Sequence, residues 1–145
     1  MEKFKNILKS YNVPELDLVE PVNKLKYQNI VLIPKTEFPD LAQMDFLAKI
    51  LASVKLLLNE NTDLVELKPD SFFPIKNLPK EKPFDIIAFG ITPAQLMLNG
   101  CEDLHKTYNL TNIKIIFAHS ISIYNGQDLQ KKMLWSALKA LKSIQ

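Results

Sequence analysis

The sequence has little of what redox, metal and nucleotide chemistry requires: it contains one cysteine, three glycines and no long apolar run. A lone thiol, Cys101, excludes an intramolecular disulfide and any zinc or iron-sulfur site built from several cysteines. Three glycines are too few for a glycine-rich phosphate loop of the Rossmann or Walker kind. We therefore expect no metal ion and no cofactor.

Membrane segments and strong charge of one sign are lacking as well. Lys55 and Asn59 interrupt the longest apolar run well short of the roughly 20 residues that a membrane helix needs. The first twelve residues mix charges with apolar side chains, unlike a signal peptide. We therefore expect a cytoplasmic protein without membrane contact. The net charge of +2 provides little electrostatic attraction to nucleic acid, so any contact with DNA should be indirect or weak.

The composition predicts one globular domain with an arm. At 145 residues and 47% hydrophobic content, the chain is large enough for one core. We assign residues 1–21 to an amino-terminal amphipathic arm and residues 22–145 to a single α/β domain. Four apolar side chains of the arm recur at helical spacing: Phe4, Ile7, Leu8 and Tyr11. They would bury either on the chain's own domain or in a partner groove, and the sequence leaves both open.

Strand and helix patterns alternate along the domain. Apolar runs typical of buried parallel strands occupy residues 29–33, 63–67, 85–89 and 113–118. Helical periodicity follows the first run over residues 41–58 and follows the last run in a helix that Asn125 could cap. Residues 68–83 contain four prolines and predict a long surface loop. We therefore expect a three-layer α/β/α fold around a central four-stranded parallel sheet.

Candidate chemistry lies where the third and fourth strands end, since ligands of parallel sheets bind there. Gly90 follows the third strand, and Thr92 opens a capping box with Gln95, which predicts a helix reaching about residue 99. His119 and Ser120 follow the fourth strand. A histidine without an identifiable carboxylate partner is typical of a structural role, with catalysis as the alternative.

Each of three further side chains could have a purely structural role or a functional one. His105 stands in a polar stretch and is interpreted as solvated surface. Cys101 is interpreted as a small packing residue rather than a reactive thiol. Trp135 lies beside the leucine stripe of the last helix, where core packing competes with a role as a partner hot spot.

Two segments resemble the uracil-DNA glycosylases of the iron-sulfur type. The first is DIIAFGITPAQLMLNG over residues 85–100, which is similar to their strand, glycine and Thr-Ala-Ala-Gln helix. The second is IIFAH over residues 115–119, followed by Asn125 and by LQKKMLWSAL over residues 129–138, similar to their closing motif. This resemblance implies a glycosylase-like fold, with Gly90, Thr92, His119 and Ser120 at its degenerate functional positions.

The departures from those enzymes imply that catalysis is lost. Residues 34–38 replace their acidic, glycine-rich water-activating loop, and Leu67 and Lys68 stand where they carry a base-reading asparagine. Ser120 replaces the proline after their motif histidine, and the cluster cysteines are absent. A glycosylase must extrude, hold and cleave a base, and the residues for each task are missing. We therefore expect a chain that is not an enzyme.

The chain also resembles the psi subunits of bacterial DNA polymerase III, which keep this fold without the chemistry. The similarity lies in the amphipathic arm of residues 1–21 and in KMLWSA over residues 132–137. It implies a non-catalytic adaptor of the DNA replication machinery, which tethers the clamp loader to a partner through Phe4, Ile7, Leu8 and Tyr11. The alternative is a divergent glycosylase-like enzyme that processes nucleic acid.

Overall fold

The computed structural model of the chain describes residues 25–35 and 41–142. The predicted arm positions Phe4, Ile7, Leu8 and Tyr11 lie outside the described residues. The α/β class is confirmed by the elements in chain order: β1 (Asn29–Pro34), α1 (Leu41–Ala52), β2 (Thr62–Leu67), β3 (Phe84–Phe89), β4 (Thr107–Leu110), β5 (Ile113–Ala118) and α2 (Asp128–Lys142). Within these ranges, three short 3₁₀ helices span Ile75–Asn77, Pro93–Leu96 and Ile121–Tyr124.

The sheet is mixed and has five strands in the order β2-β1-β3-β5-β4. The four predicted strands are present and mutually parallel. The prediction of a four-stranded parallel sheet is nevertheless wrong, because β4 pairs antiparallel with β5 at the edge, where Leu110 lies opposite Ile113. This strand is short, and its sequence TYNL lacks the continuous apolar run of a central strand, since an edge strand needs no such run.

Both described α-helices pack on one face of the sheet, which we call the helix-covered face. Its core joins alternate side chains of the strands to the apolar stripes of the two helices: Val31, Ile33, Ile87, Phe89, Ile116, Leu47, Leu51, Leu134, Leu138 and Leu141. The predicted layer of helices on each face is therefore wrong for the described part of the chain. The long connections on the second face carry only 3₁₀ turns.

The second face, which we call the loop-covered face, is closed by irregular chain. Phe73, Ile75 and Leu78 come from the proline-containing loop after β2, and Leu96 and Cys101 come from the connection after β3. The strand order explains this arrangement, because a right-handed connection from β2 to β3 must cross the face opposite to α1. Its prolines prevent that connection from forming a helix.

Helix boundaries also differ from the sequence pattern. The first helix ends at Ala52 instead of residue 58, and Lys55 and Asn59 then take left-handed backbone conformations with φ of 67° and 66°. The Asn61 side chain stabilises this turn by donating to the Lys55 carbonyl over 2.9 Å and accepting from the Leu57 N–H over 2.7 Å.

The last helix begins at Asp128, whereas Asn125 ends the preceding 3₁₀ helix, so the predicted cap is misplaced. At the other end of α2, Lys142 bonds Asp85 over 2.6 Å and Asn29 over 2.7 Å, which joins the helix to the starts of β3 and β1. No helix within the described ranges is long and apolar enough to cross a membrane.

Candidate functional site

The carboxyl ends of β1, β3 and β5 meet at one edge of the sheet. The chain passes from β1 to β2 on one side and reaches β3 on the other, so the order reverses beside β1. Ligands of open α/β sheets bind at such a reversal. The candidate site is therefore the surface formed by the residues that follow β3 and β5.

Gly90 follows β3 directly, and neither its backbone conformation nor the space around it suits a larger residue. Its φ is +66°, and a Cβ at this position would lie 2.6 Å from Ser120 Oγ and 3.3 Å from Pro34 Cγ. The Gly90 N–H donates to the Ala118 carbonyl over 3.0 Å. Close packing of the chain with itself thus explains this glycine, and the space beside it is occupied by Ser120 rather than open to a phosphate.

The predicted capping box after β3 is confirmed. The Gln95 N–H donates to Thr92 Oγ1 over 3.4 Å, and the Thr92 N–H donates to Gln95 Oε1 over 3.2 Å. The element that it caps is the four-residue 3₁₀ helix, which stops at Met97 with φ of 60°, so the predicted helix to residue 99 is wrong. Thr92 therefore serves the local turn.

His119 is joined to His105 through the hydroxyl of Tyr124. The His119 N–H donates to Tyr124 Oη over 3.0 Å, and Tyr124 Oη lies 2.6 Å from His105 Nε2. A hydroxyl can both donate and accept, so the tautomer of His105 decides which of the two groups donates in this contact. The two imidazole rings are 5.5 Å apart between centroids.

Burial shifts the pKa values of His105 and Tyr124 toward their neutral forms. It lowers the pKa of His105, and the nearby His119 lowers it further. Burial also raises the pKa of Tyr124 to about 12, although the N–H from His119 partly opposes the shift. At neutral pH the phenol and the imidazole of His105 are thus both uncharged, and His105 Nε2 already has a hydrogen-bond partner.

The prediction that His105 is solvated surface is wrong. Its backbone N–H donates to the Phe117 carbonyl over 2.9 Å, and its φ of 59° is left-handed. The antiparallel pairing of β4 with β5 brings His105, two residues before β4, to the end of β5 where His119 stands. Sequence reasoning missed this pair because it missed β4; a hairpin assigned to residues 107–118 would have found it.

A depression of about 450 Å³ lies over this edge of the sheet. All four glycosylase-like positions line it, so the structure brings together Gly90, Thr92, His119 and Ser120. Glu102 is the carboxylate of its lining, and Leu104 and Ile123 are exposed apolar side chains at its wall. Cys101 also lines it but is buried, as the packing interpretation predicted. In the described part of the chain, no three His, Cys, Asp or Glu side chains are grouped to hold a metal ion.

Trp135, for which the sequence left core packing and a partner contact open, lies on α2. Its indole is 42% exposed, so the interpretation as core packing is wrong. The ammonium of Lys139 lies 4.1 Å from the ring centroid, a cation–π contact on the outer side of α2.

Comparisons with family models, curated proteins and solved structures each found no match. The glycosylase-like and psi-like resemblances therefore stay predictions from the sequence motifs. The predicted glycosylase-like fold is not supported, because the described sheet is mixed and five-stranded instead of parallel and four-stranded.

Proposed function

We propose that the protein is a non-catalytic, psi-like adaptor of the DNA replication machinery, which tethers the polymerase III clamp loader to a partner through its amino-terminal arm. The main support for the proposal is that the residues at the glycosylase-like positions make structural contacts within the fold. Ser120 packs against Gly90, Thr92 caps a turn, and the His119 N–H bonds Tyr124. Each of these groups has a structural partner within the fold.

Exposed apolar side chains support a second contact surface beside these positions. Ile123 and Leu104 border the depression at His119, and Leu104 and Met133 border a neighbouring groove against α2. Each of the three is more than 40% exposed. Neighbouring apolar side chains in solvent are characteristic of protein contact surfaces. An adaptor needs two such surfaces, and the arm would supply the other.

Capture of purified clamp-loader subunits by the full-length chain tests the proposal. Ile7→Asp with Leu8→Asp places two charges on the apolar side of the arm pattern and should abolish capture, since anchors of this kind each contribute about 1 to 4 kcal/mol. Lys5→Asp with Lys9→Asp introduces the same number of carboxylates on its polar side and serves as the control. If the apolar-side variant captures as well as the wild type, the tether is not the arm.

The second candidate is a divergent glycosylase-like enzyme that processes nucleic acid. The depression favours it, because His119 and Glu102 line one concavity at the expected edge of the sheet. Uracil-containing single- and double-stranded DNA are the substrates to test. Base release that disappears in both His119→Ala and Glu102→Gln would replace the adaptor proposal, whereas release that survives both variants would indicate a contaminant.

A further inference from the structure

The loop-covered face carries an apolar groove of about 380 Å³ at the edge where the parallel strands begin. Its floor consists of buried side chains, among them Leu78, Leu96 and Ile113. Met97 forms part of its wall and is 56% exposed. A chain segment laid here would remove apolar surface from water without displacing the core.

Lysines supply the charge of this groove. Lys76 and Lys80 belong to its lining, and both are exposed. The described residues place no carboxylate within ion-pair distance of either. The Asn112 side chain donates to the carbonyls of Pro79 and Lys82 over 3.0 and 2.8 Å, which holds the lysine-bearing loop against the β4–β5 turn. The groove therefore suits an apolar segment that carries negative charge.

The described chain begins at the edge of the sheet where this groove lies, but on the β2 side of β1. Leu25 packs on the core of the loop-covered face, and the N–H groups of Lys26 and Tyr27 both donate to Asp63 over 2.8 Å. The parallel strands start at the same edge, and Asp63 belongs to β2, so the beginning of the described chain is up to three strand spacings, about 14 Å, from the start of β5. Five residues of extended chain span up to about 17 Å, enough to reach the groove from Leu25.

Residues 15–20, with the sequence ELDLVE, match both the apolar floor and the positive charge of the groove. They contain three carboxylates, three apolar side chains and no base. The preceding residues 1–11 carry three lysines and would meet like charge at the groove. We propose that residues 15–20 dock in the loop-face groove of their own chain, with their carboxylates toward Lys76 and Lys80 and their leucines toward the apolar floor.

This inference goes beyond the proposed function and does not depend on it. It assigns the groove to the connector and leaves Phe4, Ile7, Leu8 and Tyr11 to the partner. Failure of clamp-loader capture would overturn the adaptor alone, whereas failure of the test below would overturn the docking alone.

Amide hydrogen exchange on the full-length chain tests the docking. In the wild type, the six amides of residues 15–20 should exchange at least tenfold more slowly than in a synthetic peptide of the same residues. Lys76→Glu with Lys80→Glu should remove most of this protection, and adding Glu15→Lys with Asp17→Lys should restore part of it. Lys68→Glu with Lys114→Glu, two exposed lysines outside the groove, is the control and should leave the protection intact.

Three results would overturn the proposal. The first is exchange of residues 15–20 at the rate of the peptide, and the second is equal loss of protection in the control variant. The third is protection that increases with protein concentration, which would assign the groove to a second copy of the chain. Leu16→Ser with Leu18→Ser separates the apolar contribution from the ionic one, and it too should abolish the protection.

Discussion

The two faces of the sheet are covered by different kinds of chain. On the helix-covered face, α1 and α2 interlock regular apolar stripes with the strands, whereas the loop-covered face is closed by turns whose apolar side chains lie between prolines. Helices supply their own backbone hydrogen bonds, while irregular chain depends on individual contacts such as the Phe73 N–H on the Gln95 carbonyl, 2.7 Å. The apolar groove lies on the loop-covered face because irregular chain covers the sheet less completely than the two helices do.

Matched truncations of leucine should expose this difference most strongly. Leu138 is completely buried between α2 and the sheet, and Leu78 is 3% exposed at the floor of the groove. We expect Leu138→Ala to lower the free energy of unfolding by about 3 to 4 kcal/mol and Leu78→Ala by about 2, because a loop collapses into a cavity more readily than a helix does. Urea denaturation measures both. Equal losses would show that the loops are packed as rigidly as the helices.

The junction between the faces should be the next most sensitive position. Gly90 lies between Phe89, which is buried on the helix-covered face, and Ile91, which is buried on the other. Gly90→Ala combines a left-handed backbone with a Cβ 2.6 Å from Ser120 Oγ, so we expect a loss of about 2 to 3 kcal/mol.

Gly126→Ala is its control, because φ there is also left-handed, +72°, but no atom lies within 4 Å of the added Cβ. It should cost only the backbone component of about 1 kcal/mol. A Gly126→Ala variant as unstable as Gly90→Ala would mean that backbone strain alone, and not contact with Ser120, explains the sensitivity of Gly90. Ser120→Ala combined with Gly90→Ala should recover part of the loss.

The sequence predicted the helix-covered face better than the loop-covered one, for a physical reason. Apolar runs and a helical period report burial directly, so four strands and both helices were predicted from them. Phe73 and Leu78 are buried by a loop, which has no period to detect, and prolines indicated only that the loop is not helical. At the candidate site, Gly90 and His119 were found from their positions after strands. His105 was missed because β4, with its polar sequence, gave no strand signal.

Removal of one hydroxyl should test the hydrogen-bond network at the end of β5. Tyr124 is fully buried on the helix-covered face, and its ring stacks at 6.0 Å from that of Phe46. Tyr124→Phe keeps the ring and leaves the His119 N–H and His105 Nε2 without their partner. We expect a loss of about 1 to 2 kcal/mol in the free energy of unfolding. Tyr27→Phe removes the exposed bond to the Asn59 carbonyl, 3.0 Å, and should cost less.

The smallest effect should appear in the dependence of stability on pH. Because burial and His119 lower the pKa of His105 in the folded state, the unfolded chain binds more protons between that lowered pKa and the ordinary value of about 6.5. Stability should therefore rise with pH across this window and be lost as pH falls through it. His105→Asn cannot titrate and tolerates the left-handed backbone, φ 59°.

The measurement is the free energy of unfolding at pH 7.5 and pH 5.0, compared between wild type and variants so that contributions of the carboxylates cancel. The difference between the two pH values should shrink in His105→Asn. It should shrink less in His119→Gln, since burial is the larger cause of the shift and His119 the smaller. A His105→Asn variant with the pH dependence of the wild type would mean that His105 is as solvated in the folded chain as in the unfolded one, against its 2.6 Å contact with Tyr124.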